Sequence, residues 1–204
     1  MSYFLWLVQN ILAPIGWVIL KFRYDIKIYG KENLAGVNPP LIIASNHKTL
    51  FDGFLIGFGF LWFSRFAPMR FMIEDFRFKG KRLELLRKLG MISFFRIISG
   101  GFPSRRGEGI DSAIKIPLAI LKKGGTVLMF PEGYLIKEDS LGSFFHGTSA
   151  LALASGAPIL PVFIKIKGRN ISVSAGKVFN LNASSREEGT NKIRDKILEA
   201  SHLR

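Results

Sequence analysis

Three short apolar runs, each of strand length and each bounded by turn residues, constrain this chain more than any other feature. Leu41 to Ala44 follows Asn38-Pro39-Pro40, Thr126 to Phe130 lies between Gly124-Gly125 and Pro131, and Ile159 to Lys167 follows Gly156. Runs of this kind suit strands covered on both faces, the condition of a parallel sheet. Asp25 to Tyr29 alternates polar and apolar residues up to Gly30, and Met91 to Ile97 and Ile171 to Ala175 are also strand-like. Between them lie segments of helical composition: Phe51–Phe63, Leu83–Leu89 ending at Gly90, Ile110–Lys123 ending at Gly124, Thr148–Ser155 ending at Gly156, and Asn191–Leu203. Short strands alternating with helices predict an α/β fold: a single domain over residues 25–204 with a largely parallel central sheet flanked by helices. The 204 residues suffice for one domain with its own core.

Residues 1–24 are read separately. Ser2 to Leu20 is nearly all apolar and is followed by Lys21, Arg23 and Lys27. No basic segment precedes the run and no small-residue cleavage site follows it, which argues against a cleavable signal. The run approaches the roughly 20 residues of a membrane span, but Gln9-Asn10 and Pro14 interrupt it. The expectation is one or two short helices lying in a membrane interface, with Trp6 and Trp17 at headgroup depth and a single span as the rival arrangement. Charge agrees. The formal net charge is +14 while 48% of residues are hydrophobic, including 19 phenylalanines, and mean hydropathy is +0.24. A chain both basic and apolar fits an anionic lipid surface; no nucleic-acid motif accompanies the charge, so no nucleic-acid partner is expected. Between Arg65 and Arg106 eleven basic residues face three acids, Glu74, Asp75 and Glu84. Such a block reads as a solvated face or as a rim for phosphorylated ligands.

Two motifs fall at the carboxyl ends of predicted strands, where open α/β sheets bind ligands. The first is His47 to Asp52, a His-x4-Asp spacing. The two side chains do not share a helix face at that spacing. They meet if His47 lies in the loop after the Leu41–Ala44 strand and Asp52 in the first turn of the next helix. A carboxylate holding one imidazole N–H leaves the other nitrogen free to take a proton. The chain has no cysteine, which removes thiolate nucleophiles, disulfides and cysteine zinc sites; no metal centre is expected. No nucleophile-elbow serine is present either. The hydroxyl being activated then belongs to a substrate, and transfer is direct. The second motif is Phe130-Pro131-Glu132-Gly133. Proline and glycine break the strand sharply, and Glu132 is expected exposed at its end, where a carboxylate can accept hydrogen bonds from a polyol.

Together, in this order and 85 positions apart from His47 to Glu132, the motifs resemble those of the lysophosphatidic acid and glycerol-3-phosphate acyltransferases. Gly90 to Arg96 resembles that family's second block, and Ala157 to Val162, with Pro161 at its centre, its fourth; the likeness runs from about Ile26 to Ile166. The resemblance implies acyl transfer from an acyl-CoA or acyl-carrier-protein thioester to the hydroxyl of a lysophospholipid acceptor, with no cofactor beyond that co-substrate. It implies His47 as general base, Asp52 as its partner, and Arg96 with the Pro131-Glu132-Gly133 loop as the acceptor site. It also implies membrane lipids as partners and a place on the cytoplasmic face of the inner membrane. One position departs. The family commonly has threonine and arginine after Pro-Glu-Gly; here Tyr134 and Leu135 stand there, so one phosphate-binding charge is missing, with Lys137, Arg105 or Arg106 as the candidate replacements. A related acyltransferase with another acceptor, or a lipid-binding module without turnover, are the alternatives. His146 is expected to be a surface or satisfied structural histidine, and His202 solvated.

Overall fold

The computed structural model describes residues 3–61, 64–73, 99–103, 107–136, 138 and 140–203. Its strands are β1 (Asp25–Tyr29), β2 (Leu41–Ser45), β3 (Met69–Ile73), β4 (Gly101–Pro103), β5 (Thr126–Met129), β6 (Ile159–Lys167) and β7 (Asn170–Ala175). Its helices are α1 (Tyr3–Arg23), α2 (Asp52–Ile56, continuing as a π-helical turn over Gly57–Leu61), α3 (Ile110–Lys122), α4 (Gly147–Ser155) and α5 (Arg186–Ala200). The expected helix at Leu83–Leu89, the strand at Met91–Ile97 and the Gly90–Arg96 block lie outside the described residues.

All seven strands join one sheet, in the order β1-β7-β6-β2-β5-β3-β4. β6, β2, β5, β3 and β4 run parallel. β7 turns back antiparallel on β6, and β1 pairs parallel with β7. The sheet is thus largely parallel, as expected, with two edge strands reversed. Strand pleating sorts the side chains. Ile42 and Ala44 enter a core with Val127, Ile159 and the inner faces of α3, α4 and α5, through Ile114, Leu151 and Ile197 among others. Leu41 and Ile43 enter the opposite core with Leu128, Leu160, Ile164, Leu55, Ile56 and Leu61. The four β2 aliphatics Leu41, Ile42, Ile43 and Ala44 have no exposed surface, and each of the larger three contributes roughly 2 kcal/mol of apolar burial. The central strand that delivers His47 is therefore held on both faces by the two cores.

Three local readings change. β3 was not expected from a sequence segment read only as basic, and neither was β4, which lies in the same block. Of that basic run, Arg65 bonds Asn38 Oδ1 at 2.7 Å and Arg70 bonds the Gly100 carbonyl at 2.6 Å; burial lowers the Arg70 pKa. Helix α5 starts at Arg186, five residues before the expected Asn191. Ser185 caps it by accepting from the Glu188 N–H at 3.1 Å, an N-terminal signal that outranks the apolar spacing.

The N-terminal segment is one helix, continuous through Pro14, in place of the expected short pieces. It lies along the domain. Gln9 donates to the carbonyls of Met69 (2.8 Å) and Ser99 (2.9 Å) and accepts from the Met69 N–H (3.0 Å). Gly100, with φ at +83°, makes room: a Cβ there would sit 2.7 Å from Gln9 Nε2. Trp17 meets Phe58 with ring centroids 5.4 Å apart. Gln9, a polar residue that seemed to interrupt a span, fastens the helix to the sheet. The face turned away carries Phe4, Leu7, Ile11, Ile15, Val18 and Phe22, all exposed, at the three- and four-residue spacing of one helical stripe.

Candidate active site

His47 leaves β2 one residue beyond Asn46, and Asn46 explains how the chain can turn there. Its buried side-chain amide accepts from the Ile164 N–H (2.7 Å) and donates to the Ile164 carbonyl (2.9 Å). The side chain continues the ladder to β6 after the backbone has departed, so no buried β6 group loses its partner.

The loop from His47 to Asp52 is organised by one carboxylate. Asp52, fully buried at the first position of α2, places Oδ2 2.8 Å from His47 Nδ1. The same oxygen accepts from the N–H groups of Lys48 (2.6 Å) and Thr49 (2.9 Å), and Oδ1 accepts from Thr49 Oγ1 (2.7 Å). Thr49 Oγ1 in turn accepts from the Phe51 N–H at 3.1 Å. Backbone N–H groups only donate, so Oδ2 is an acceptor and His47 Nδ1 carries the proton. Nε2 is left with its lone pair. The imidazole stacks on Phe130 at 3.9 Å between centroids and 12° between planes, and its side chain is 19% exposed. A ring fixed on one face and one nitrogen, open at another, can take a proton from a hydroxyl brought to it.

The second motif stands beside the first, differently from the expectation. Gly133 has φ at +70°, a left-handed turn conformation that glycine adopts without strain, and its N–H bonds the Phe130 carbonyl at 2.9 Å. Glu132 is not exposed; its relative accessibility is 0%. Oε2 accepts from the His47 N–H at 2.7 Å and Oε1 from the Gly142 N–H at 2.8 Å. The carboxylate expected to meet a polyol is turned inward, because two backbone donors converge on it where no water reaches. Pro131 is buried too, and Gly133 is half-buried. Arg96, Arg105, Arg106 and Lys137 lie outside the described residues.

Among the described residues, several large apolar side chains stand exposed around the site. Leu50, Phe51 and Phe54 are exposed on the dyad loop and the start of α2, and Tyr134, Leu135 and Phe145 on the facing loops. Tyr134 and Phe145 meet edge to face at 6.3 Å. The Ile136 N–H bonds the His47 carbonyl (2.8 Å) and the Phe145 N–H bonds the Pro131 carbonyl (2.8 Å), which ties those loops to the two motifs.

A model of the acyltransferase family matches residues 25–165, from the first strand through β6, with His47, Asp52 and Glu132 inside the match. The chain belongs to the acyltransferase family. Among curated members, the 1-acyl-sn-glycerol-3-phosphate acyltransferase of Bacillus subtilis (strain 168) is 31% identical over 144 residues, 71% of this chain and 64% of that protein. The chloroplastic 1-acyl-sn-glycerol-3-phosphate acyltransferase LPAT1 of Arabidopsis thaliana is 25% identical over 198 residues, 88% of this chain and 50% of that one. The chain thus spans between half and two thirds of the length of these two relatives. In structure it is similar to PlsC, the 1-acyl-sn-glycerophosphate (LPA) acyltransferase from Thermotoga maritima. The TM-score is 0.68 at 21% identity, covering 92% of this chain and 76% of that one, a likeness of fold.

In this member of the family the dyad is legible in the sequence, but most of the residues that hold it are not. Thr49 was legible in principle: Thr-x-x-Asp ahead of an apolar run is a capping-box spacing, and Asp52 does reach back to the Thr49 N–H. Asn46 and Gly142 carry no local signal, since their partners lie 118 and 10 residues away. His146 is exposed, and its Nδ1 lies 2.9 Å from Thr190 Oγ1. His202 is exposed.

Proposed function

We propose that this chain transfers a fatty acyl group from an acyl-CoA or acyl-carrier-protein thioester to the free hydroxyl of 1-acyl-sn-glycerol-3-phosphate, giving phosphatidic acid. The observation that carries the reading is the 2.8 Å pairing of His47 Nδ1 with the buried Asp52 carboxylate, in a chain related to proteins named for that activity. His47 Nε2 takes the proton of the acceptor hydroxyl as its oxygen attacks the thioester carbonyl carbon. Asp52 stabilises the imidazolium so formed. The tetrahedral intermediate collapses with cleavage of the C–S bond, and the proton passes from His47 to the departing thiolate. No cofactor takes part. Arg96 holds the acceptor phosphate, and the turn through Pro131 and Gly133 shapes the acceptor side of the mouth.

The reading includes a place for the protein. The exposed stripe of α1 and the exposed apolar side chains around the site suit a lipid surface, and Lys21 and Arg23 in the last turn of α1 suit its phosphates. With α1 docked along the domain, residues 1–24 anchor the 25–204 domain by lying in the interface, on the cytoplasmic face of the inner membrane.

The test is product analysis: purified protein, labelled acyl-CoA or acyl carrier protein, and a panel of lysolipids. Labelled phosphatidic acid from 1-acyl-sn-glycerol-3-phosphate is the expected product; lipid binding with no product from any acceptor contradicts the reading. Tyr134 and Leu135, exposed at 47% and 40%, favour one second reading: an acceptor whose head group carries no phosphomonoester. Preferential acylation of such a lysolipid in the same panel would select it.

A further inference from the structure

Glu132 has a task that its position in the motif does not suggest. A buried carboxylate is costly unless its oxygens are hydrogen-bonded. Here each oxygen has one backbone donor, and the two donors belong to different loops: His47 at 2.7 Å and Gly142 at 2.8 Å. Residue 142 is glycine, and a Cβ there would lie 2.7 Å from Ile136 Cδ1, so any larger residue would displace the Ile136 side chain. Between these anchors Ile136, Glu138 and Ser140 also meet the dyad loop. The Ile136 N–H holds the His47 carbonyl at 2.8 Å, and Lys48 Nζ donates to the carbonyls of Glu138 and Ser140. The His47 residue is thereby gripped at four points: its N–H by Glu132, its carbonyl by Ile136, its Nδ1 by Asp52 and its ring face by Phe130.

We propose that Glu132 is a positioning residue for the general base: its buried carboxylate clamps the His47 and Gly142 peptide N–H groups and makes no contact with the acceptor lipid. This rests on the acyl-transfer reading for the role of His47, while the clamp itself is independent of it. A base that must meet a hydroxyl at hydrogen-bond distance gains from a fixed Cα, because a misplacement of about 1 Å costs on the order of 10²-fold in rate. The hydrogen bonds from two loops to one side chain also make the placement of His47 depend on where Gly142 sits.

The experiment pairs kinetics with amide spectroscopy. In Glu132→Gln one oxygen becomes an NH₂, which sets a donor against one of the two N–H groups. We expect kcat to fall by about 10- to 100-fold with the acceptor KM changed less than about threefold, as for an interaction expressed in the transition state alone. Combined with His47→Ala, Glu132→Gln should add no further loss, because it acts through the imidazole. A rise of about tenfold or more in acceptor KM at unchanged kcat would return Glu132 to head-group binding. Multiplying effects in the double variant, or unchanged kinetics in the single one, would also overturn the proposal. Wild-type protein supplies a readout that needs neither a folded variant nor turnover. The His47 and Gly142 amides should exchange with solvent far more slowly than free peptide, by nuclear magnetic resonance. Exchange at the free-peptide rate sinks the clamp even if acyl transfer is observed; protected amides without acyl transfer sink the reaction and leave the clamp standing.

Discussion

Replacing Asp52 by asparagine isolates the charge of that residue from its shape, and the surrounding hydrogen bonds dictate how the amide must sit. At the Oδ2 position two backbone N–H groups, from Lys48 at 2.6 Å and Thr49 at 2.9 Å, require an acceptor. The amide oxygen therefore takes that place and still accepts from His47 Nδ1. The NH₂ takes the Oδ1 position, where Thr49 Oγ1 can rotate to accept. The imidazole keeps its tautomer and orientation, and the loss is the negative charge beside the imidazolium. Charges about 4 Å apart at an effective dielectric of about 20 interact by about 4 kcal/mol, or about three decades of rate at about 1.36 kcal/mol per decade. Single-turnover transfer from labelled acyl-CoA should thus slow by about 10³-fold in Asp52→Asn, with thermal stability nearly unchanged. Asp52→Ala should differ in kind, since two backbone donors are left unpaired at a cost of about 1–3 kcal/mol each, so that it lowers Tm as well. A single-turnover rate for Asp52→Asn within about threefold of wild type would refute the argument, because no imidazolium would then form in the step that limits transfer.

Three further outcomes follow from the same geometry. Gln9→Ala removes three hydrogen bonds between α1 and the sheet, worth about 1 kcal/mol each; calorimetry should show a drop of roughly 6–12 °C in Tm, and an unchanged Tm would mean that α1 is not fastened there. Placing aspartate at both Ile15 and Phe22, exposed on the outer stripe of α1, should weaken binding to anionic vesicles by about a hundredfold or more, the equivalent of about 3 kcal/mol of apolar contact, while leaving Tm intact; equal binding would show that this stripe does not meet lipid. At the start of α5, Lys192 first and Ser184 second hold the Glu188 carboxyl well below its ordinary value of 4.5, at about 2. Its folded-state pKa is depressed, so its contribution is present above about 4.5 and is lost as pH falls through about 2; thermal melts should show wild type above Glu188→Gln at pH 5 and the gap closing toward pH 2, and a gap that widens on acidification would contradict the assignment.

What could be read from residues alone was what local pattern determines. The Leu41–Ala44 run of β2 has no polar residue to misplace and the Asp52 turn follows within a few residues, so strand, loop and helix start came out in register, and with them the dyad. β3 did not, because Met69-Arg70-Phe71-Met72-Ile73 lies in a basic stretch and owes its strand state to pairing with β5 and β4. The reversed edge is also non-local: β1 lies parallel to β7, more than 140 residues later. Glu132 shows the limit most clearly. Its turn was evident from Pro131 and Gly133, but its burial depends on N–H groups 85 residues before it and 10 after it. In α1 a polar side chain was read as an interruption when its partners, Met69 and Ser99, lie 60 and 90 residues away; periodicity cannot report that.

The central claim is that the imidazole at position 47, held at Nδ1, accepts the proton of the acceptor hydroxyl. Transfer from labelled acyl-CoA to 1-acyl-sn-glycerol-3-phosphate by wild type and by His47→Ala tests it most directly, with circular dichroism to establish that both are folded. The account predicts a loss of about 10²- to 10⁴-fold in turnover at matched stability. Turnover by the folded variant equal to that of wild type would contradict it.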